Sequence, residues 1–294
     1  MEVYHIHDLE RLSGIKATTL RAWEKRYDFL SPERTDTNRR LYTDADVARL
    51  LNIVTLQKQG YKISALANLS DKAIINLLEQ AAQHKEANAD FIYNSYIGNM
   101  VTAALRFDEP AFDKVFSAAI TRLGLHEAML QVVYPFLSRI GLMWNYQKAT
   151  SVQEHFATGI VRRKLIAAID GLPAPSKTGK KFLLFLPPDE WHEIGLLFAD
   201  YVIRAAGWPS IFLGQSVPTA QLHNVIRQTK PTHVMTFFVT RRPHESITGL
   251  LDDLHKAFPR LTILFSGDED LLMPVMPGRS VHYLKHPNDL SICL

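Results

Sequence analysis

Two groups of side chains in this chain have the types and spacing for chemistry. The first is an imidazole, His192, in PPDEWHEIG (187–195), where Glu190, His192 and Gly195 spell E-x-H-x-x-G. A proline pair precedes it and an amphipathic helical pattern follows, so the ring stands at a strand-to-helix junction. The second group is a set of cations. Arg21, Lys25 and Arg26 recur at helical spacing beside Trp23 and Tyr27, and PERTDTNRRLY carries Arg34, Arg39 and Arg40 in a stretch too polar for a core. Such groups on a short helix and a following loop suit phosphates and base edges. On residue types alone each group keeps an ordinary alternative. His192 also reads as a polar loop residue, and the cations as a solvated face interspersed with Glu24, Asp28, Glu33 and Asp36.

Both groups need elements to hold them. DLERLSG reads as a short helix ending at Gly14, and Thr18 or Thr19 is expected to cap the next one, TLRAWEKRY. Two short helices about a tight turn make a helix-turn-helix whose second helix can lie in a major groove. The arginine-bearing segment after it suits a β-wing, and Leu20, Leu30, Val47, Leu50 and Leu51 are expected in the core. Residues 73–170 are patterned almost entirely as helix, with Asp108-Glu109-Pro110 as a start signal and Pro135 as a kink within one segment. GLPAPSKTGK (171–180) has linker composition. From 181 onward, apolar runs alternate with helical patterns, which predicts a parallel sheet covered on both faces. Ligands on such sheets bind beyond the carboxyl ends of the strands, where His192 falls. The expected fold class is therefore multidomain. It comprises an all-α winged helix-turn-helix (1–72), a four-helix bundle (73–170), a linker (171–180) and an α/β Rossmann-like, flavodoxin-like parallel sheet (181–294).

Composition narrows the function. A chain of 294 residues with 47% hydrophobic and 21% charged residues has the makeup of a soluble globular protein. A net charge of +3 is too small to argue for nucleic acid by itself, so any basic surface is local. The single cysteine, Cys293, excludes a disulfide frame and a thiolate cluster. No apolar run approaches the roughly 20 residues that span a bilayer, and MEVYHIHDLERL does not read as a secretion signal, so a cytoplasmic protein with no membrane partner is expected. Nothing resembles a nucleophile elbow, a Gly-rich phosphate loop or a metalloprotease helix, and no enzymatic turnover is expected.

The succession of helix, Gly turn, TTLRAWEKRY, SPERT, a wing ending in RRLY, and TDADVARLLNIVTLQKQGYKIS resembles the MerR family of transcription regulators over the whole first block. The resemblance implies that Thr18, Thr19, Arg21, Trp23, Lys25 and Arg26 face base edges and phosphates of double-stranded promoter or operator DNA. Arg34 lies in the wing, from which Arg39, Arg40 and Tyr42 would hold the backbone. Arg21 is the candidate for direct base contact. Reading as a homodimer or homotetramer is implied, with the pairing surface supplied by the C-terminal blocks.

The later blocks carry a second likeness. E-x-H-x-x-G, LGQSVP with Gly214, and Trp144 followed by nine residues and Glu154-His155 resemble the cobalamin-dependent, light-responsive regulators of the CarH and LitR type. That resemblance implies cobalamin, as adenosylcobalamin, with His192 as the cobalt ligand, Glu190 or Asp189 orienting its ring, and Gly195 admitting the flat corrin. Trp144, Glu154 and His155 would cover the upper face, and Ser266 and Gly267 would lie beside the nucleotide tail. The implied function is a repressor whose bundle and sheet bind cobalamin and control assembly and DNA affinity. Three departures stand against it. Phe237-Phe238-Val239 occupies the place of a Ser-x-small-apolar motif, Ser266-Gly267 that of a Gly pair, and Asn145 that of a histidine. Phe237 and Asn145 favour an alternative, a cobalamin-independent regulator whose C-terminal half serves for oligomerisation or for docking an antagonist protein.

Overall fold

The computed structural model describes residues 4–83, 88–145, 151–267, 272, 280–290 and 294, with only the backbone at 82, 83, 142, 144, 145 and 151. Packing divides the chain into two compact units, Met1–Ile160 and Val161–Leu294. The first two expected blocks thus share one unit, and the division falls inside a helix rather than at the linker.

The first unit begins with α1 (Ile6–Ser13), which ends on Gly14 at φ 74°, a left-handed turn in which the Gly14 N–H returns to the Glu10 carbonyl. Helix α2 (Ala17–Tyr27) starts one residue earlier than Thr18. Its N-cap is Lys16, with no side-chain cap; the Thr19 N–H bonds the Lys16 carbonyl at 2.9 Å instead. Burial of Ala17 and Leu20 sets the helix phase, and that overrides the threonine caps expected from propensity. Strands β1 (Glu33–Arg34) and β2 (Arg40–Leu41) pair antiparallel as the wing. Helix α3 (Asp44–Gln57) opens on a capping box between Thr43 and Asp46. Leu20, Leu30, Val47, Leu50 and Leu51 are all buried, as expected. Two helices follow, α4 (Ile63–Leu66) and α5 (Asp71–Gln83). The guanidinium of Arg49 on α3 ties this region together. It donates to the carbonyls of Phe29, Ala67 and Leu69 and to Asp71, at 2.7–2.9 Å.

The bundle is formed by α6 (Ala89–Leu105), α7 (Glu109–Leu123), α8 (Leu125–Ala128), α9 (Tyr134–Asn145) and α10 (Ser151–Asp170). Helix α6 is apolar around nearly its whole circumference and is correspondingly buried from Met100 to Leu105. Gly98 lets it approach α3, because a Cβ there would lie 2.9 Å from Asn52 Oδ1. Asp108 caps α7 by accepting from the Ala111 N–H at 3.0 Å, with proline in the first turn, as its sequence predicts. Between α8 and α9 the helix widens into a π turn, Met129–Val133. Pro135 lacks an N–H and crowds the carbonyl four residues back, and the wider turn just ahead relieves that clash.

The second unit is a five-stranded, all-parallel sheet in the order β4-β3-β5-β6-β7: β3 (Phe182–Phe185), β4 (Ser210–Gly214), β5 (His233–Phe238), β6 (Thr262–Gly267) and β7 (Val281–Tyr283). Helices α11 (Ile194–Ala205), α12 (Thr219–Thr229) and α13 (His244–Ala257) make the crossovers. One face of the sheet packs Leu183, Phe185, Val234, Phe238, Ile263 and Phe265 against α12 and α13. Helix α11 covers the other face, toward which the alternate residue Phe237 turns. From β3 the chain runs to β4 on one side and later crosses to β5 on the other. The loops after β3 and β5 therefore part at the carboxyl edge, the crevice where sheets of this topology bind ligands.

Candidate functional site

At that crevice the loop after β3 places Glu190 and His192 ahead of the first turn of α11, so His192 precedes the helix rather than starting it. Glu190 is wholly buried. Its Oε1 lies 2.7 Å from His192 Nδ1 and accepts from the Thr240 hydroxyl at 2.9 Å. Its Oε2 accepts from the backbone N–H groups of Val239 and Thr240, both at 2.8 Å, and from Arg242 Nη2 at 3.3 Å. Burial alone would raise the pKa of this carboxyl. The hydrogen bonds from His192, the Thr240 and Val239 amides and the Thr240 hydroxyl outweigh it and hold the group down at about 2. Glu190 is thus an ionised acceptor, and His192 Nδ1 is the donor in their contact. The His192 side chain is 53% exposed. An oriented, accessible imidazole is a side chain of the kind that ligates metals.

Of the two carboxylates expected to orient the ring, the structure brings Glu190 to it. Asp189 is exposed, at φ 61°, and its N–H bonds Ser216 Oγ at 3.1 Å. Gly214, at φ 80°, ends β4 and turns the chain into that loop. Ser266 donates to the Leu284 carbonyl at 2.7 Å. Gly267, at φ 147°, must be glycine, since a Cβ would sit 1.9 Å from the Phe238 carbonyl oxygen. Gly195 is a correction. It was expected to leave room for a flat ligand, but its open side is filled by the Phe237 ring, whose nearest carbon is 3.0 Å from where a Cβ would be. Phe237 and the helix start therefore pack on each other.

Three residues that matter here escape sequence reasoning. Thr240 and Arg242 reach Glu190 from another strand end, a proximity no local pattern reveals. Glu193, beside His192, is buried and paired with Arg162 of α10; burial pushes its carboxyl up and the guanidinium pulls it back. On the bundle side, Glu154 and His155 pair at 3.1 Å on the first turn of α10, with His155 74% exposed. Trp144 and Asn145 close α9, and their side chains lie outside the described residues, as does Cys293.

At the other end of the chain, α2 turns Thr18, Arg21, Lys25 and Arg26 outward, while Thr19 and Trp23 are half-buried. Trp23 packs edge-on against Phe29, with ring centroids 5.9 Å apart. On the wing Arg34 and Arg39 are exposed, and Arg34 bonds Asn38 Oδ1 at 2.5 Å across the turn. Arg40 is half-buried with its Nε 2.8 Å from Glu24. Tyr42 is a further correction. Expected to hold DNA, it is fully buried and its hydroxyl donates to Glu24; burial first, then the Glu24 hydrogen bond and charge, push the phenol far above its ordinary value. Glu24, first read as an interspersed acid, straps wing to helix. Its spacing of four from buried Leu20 puts it on the inward face, and that was the available signal.

Two family models match parts of the chain. The family model described as MerR HTH family regulatory protein matches residues 4–73, and that described as B12 binding domain matches residues 96–168. The HTH-type transcriptional repressor CarH of Myxococcus xanthus is 31% identical over 258 residues, 87% of this chain and 86% of its own length. The chain belongs to the CarH-type branch of the MerR regulators. A second relative in this branch, the HTH-type transcriptional repressor CarA of Myxococcus xanthus, is 27% identical over 89% of this chain and 85% of its own length. The Methanosarcina barkeri monomethylamine corrinoid protein shares the fold, with a TM-score of 0.51 at 11% identity, over 65% of this chain and 92% of that one. Against the cofactor this branch implies, the residues of the sheet unit fit at one place. An imidazole with one nitrogen held by a carboxylate has the chemistry to hold a cobalt ion. Beside α11 the Phe237 ring occupies the space over Gly195. Among the described residues no cluster of three or more His, Cys, Asp or Glu could hold a bare metal ion, and no helix is long and apolar enough to cross a membrane.

Proposed function

We propose that this chain is a transcriptional repressor that binds double-stranded operator DNA through α2 and the wing, and binds cobalamin through His192, with ligand and assembly together setting DNA affinity. The MerR and B12-binding family matches support the two halves, and adenosylcobalamin is the proposed form. The observation that carries the cofactor reading is the buried, ionised Glu190 on His192 Nδ1: keeping a carboxylate under cover costs free energy unless its hydrogen bonds recover it, and here they also orient an exposed ring. When bound, the corrinoid would supply a cobalt ion that the His192 imidazole could hold. On the DNA side Arg21 is the proposed base reader, with Thr18, Lys25, Arg26, Arg34 and Arg39 on phosphates. Pairing of the chain as a homodimer or homotetramer would bring two or more reading heads to one operator and raise their joint affinity.

The test is a spectrum. The purified full-length chain is mixed with adenosylcobalamin in the dark, desalted and scanned in the visible. Retained colour is expected, and His192→Ala should lose it while keeping its far-UV circular dichroism. An uncoloured wild-type protein would overturn the cofactor half. A second reading, a regulator that uses its C-terminal half only for assembly or for docking an antagonist protein, is favoured by one observation, the Phe237 ring over Gly195. It predicts operator binding indifferent to every cobalamin form.

A further inference from the structure

We propose that the edge of the sheet where its strands begin is a second DNA contact, gripping phosphates without reading sequence. Side-chain charges cancel over residues 1–160, so the chain's net charge of +3 resides in 161–294. Within that unit the two ends of the sheet differ. The loops and helix starts after β3 and β5 set Asp189, Glu190, Glu193 and Glu245 against Arg241 and Arg242. The segments that enter β3, β4, β5 and β6 (171–181, 206–209, 230–232 and 258–261) contain no aspartate or glutamate. They hold Lys177, Lys180, Lys181, Lys230 and Arg260. Asp200, bonded to Ser210 at the start of β4, is buried and already held by Arg204 at 2.9 Å. The segment read as a linker is fastened along this edge. The Ser176 and Lys177 amides donate to the Gly207 carbonyl at 3.1 and 2.9 Å, and Lys177 and Lys180 lie 4.9 and 5.6 Å from the centre of the Trp208 ring.

Helix ends account for part of this charge. Helices α11, α12 and α13 finish here, each with roughly half a negative charge at its carbonyl end, and the Lys181 Nζ donates to the last carbonyl of α12, that of Thr229, at 2.9 Å. Three such ends offset about one and a half of the five cations, and the rest is excess. His233, at the start of β5, registers it: burial first, then the charges of Lys180 and His282, push its imidazole down to about 4. In the spatial order β4-β3-β5-β6 the cations form a row across three strand spacings, roughly 15 Å. A small anion would need them to converge on one point. A duplex presents about one negative charge per 1.7 Å of its axis, a linear array that such a row matches. Lysine meets it as a point charge, with no reading of base edges.

The test is the salt dependence of binding. Full-length chain is titrated into a fluorescently labelled duplex of random sequence at salt concentrations from about 50 to about 200 mM. Lys177, Lys230 and Arg260 are exposed, so their replacement should spare the fold. Lys177→Gln, Lys230→Gln and Arg260→Gln combined should reduce the slope of log affinity against log salt by about 2–3 and weaken binding about 10-fold or more near 100 mM. Far-UV circular dichroism and sedimentation should stay those of wild type. Arg241→Gln, at the opposite edge, should keep the wild-type slope. In an Arg39→Ala background the losses should add, because wing and sheet edge would hold different phosphates. A triple variant with wild-type slope and affinity overturns the proposal. A triple variant that sediments as a smaller assembly overturns it too, and assigns the edge to a second copy of the chain. No readout involves corrinoid, so the outcome stands whether or not the chain takes one up.

Discussion

On the recognition helix Arg21, Lys25 and Arg26 project outward on long flexible stems, while at the sheet edge Glu190 is buried and met by donors on both oxygens before any ligand arrives. Under the proposed function, the difference follows from what each region would face. A phosphate backbone is a large, repeating target, so cations can order on contact at a cost of up to about 2 kcal/mol of side-chain entropy each, offset by counterion release. A single metal position is small and directional, and an imidazole turned to the wrong nitrogen cannot ligate it. Its orientation therefore has to be built into the fold. The reader is rigid too, but at its base: Glu24 joins wing to helix, and Arg49 joins the reader to α5.

Glu190→Gln tests this contrast hardest. The Glu190 carboxyl sits at about 2 in the folded chain against 4.5 ordinarily. A depressed pKa stabilises the fold fully above the unfolded value, and that stability is lost as pH falls from there through the folded value. The contribution at neutral pH is on the order of 3 kcal/mol. The amide removes the charge and turns an NH2 toward groups that are themselves donors. We expect a loss of about 3 kcal/mol in urea unfolding at pH 7. The gap between wild type and variant should close as pH falls from about 5 toward 2. Parallel stability curves across that range would show that the carboxylate is not held as the geometry implies.

The reading end should respond in binding rather than in stability. Arg21→Ala is expected to leave thermal unfolding unchanged and to cost roughly 1–3 kcal/mol in operator affinity, with relaxed preference at one base position. Arg39→Ala should weaken all sequences alike and lower the salt slope by about one. Tyr42→Phe separates this from structure, since the tyrosine is buried on Glu24. It should destabilise the reader by about 1 kcal/mol, with affinity following only through that loss. A Tyr42 variant that lost affinity as sharply as Arg21→Ala, at full stability, would put the phenol back on DNA.

Most of the fold could be read in advance because its signals are local. Gly14, Asp108 with Pro110, and the apolar runs of β3, β5 and β6 each declare an element within a few residues. Two of the misreadings share a cause as well. Lys16 in place of a threonine cap and Tyr42 turned inward are set by packing with other segments, whereas the Phe237 ring over Gly195 was foreshadowed by the bulky residue at 237. His192 and Glu190 were legible as a pair because a single residue, Trp191, separates them. Thr240 and Arg242, 50 and 52 residues away from Glu190, were not.

The smallest expected effect concerns the helix start beside His192. Gly195 is in the first turn of α11, and alanine there would ordinarily favour a helix by up to about 1 kcal/mol. Its Cβ, however, would meet Phe237 carbons at 3.0, 3.2 and 3.5 Å, so the ring has to move. Phe237 is half-buried and can give by a few tenths of an ångström, which keeps the penalty modest. We expect Gly195→Ala to destabilise wild type by about 1 kcal/mol and to be neutral or stabilising in a Phe237→Ala background, a coupling of at least about 1 kcal/mol in a double-mutant cycle. The same Phe237→Ala chain then tests the second reading of function. If the ring keeps cobalamin out, its removal should raise corrinoid retention while His192→Ala in that background abolishes it. Retention that ignores Phe237 would mean that the space over Gly195 is not where any part of the ligand has to go.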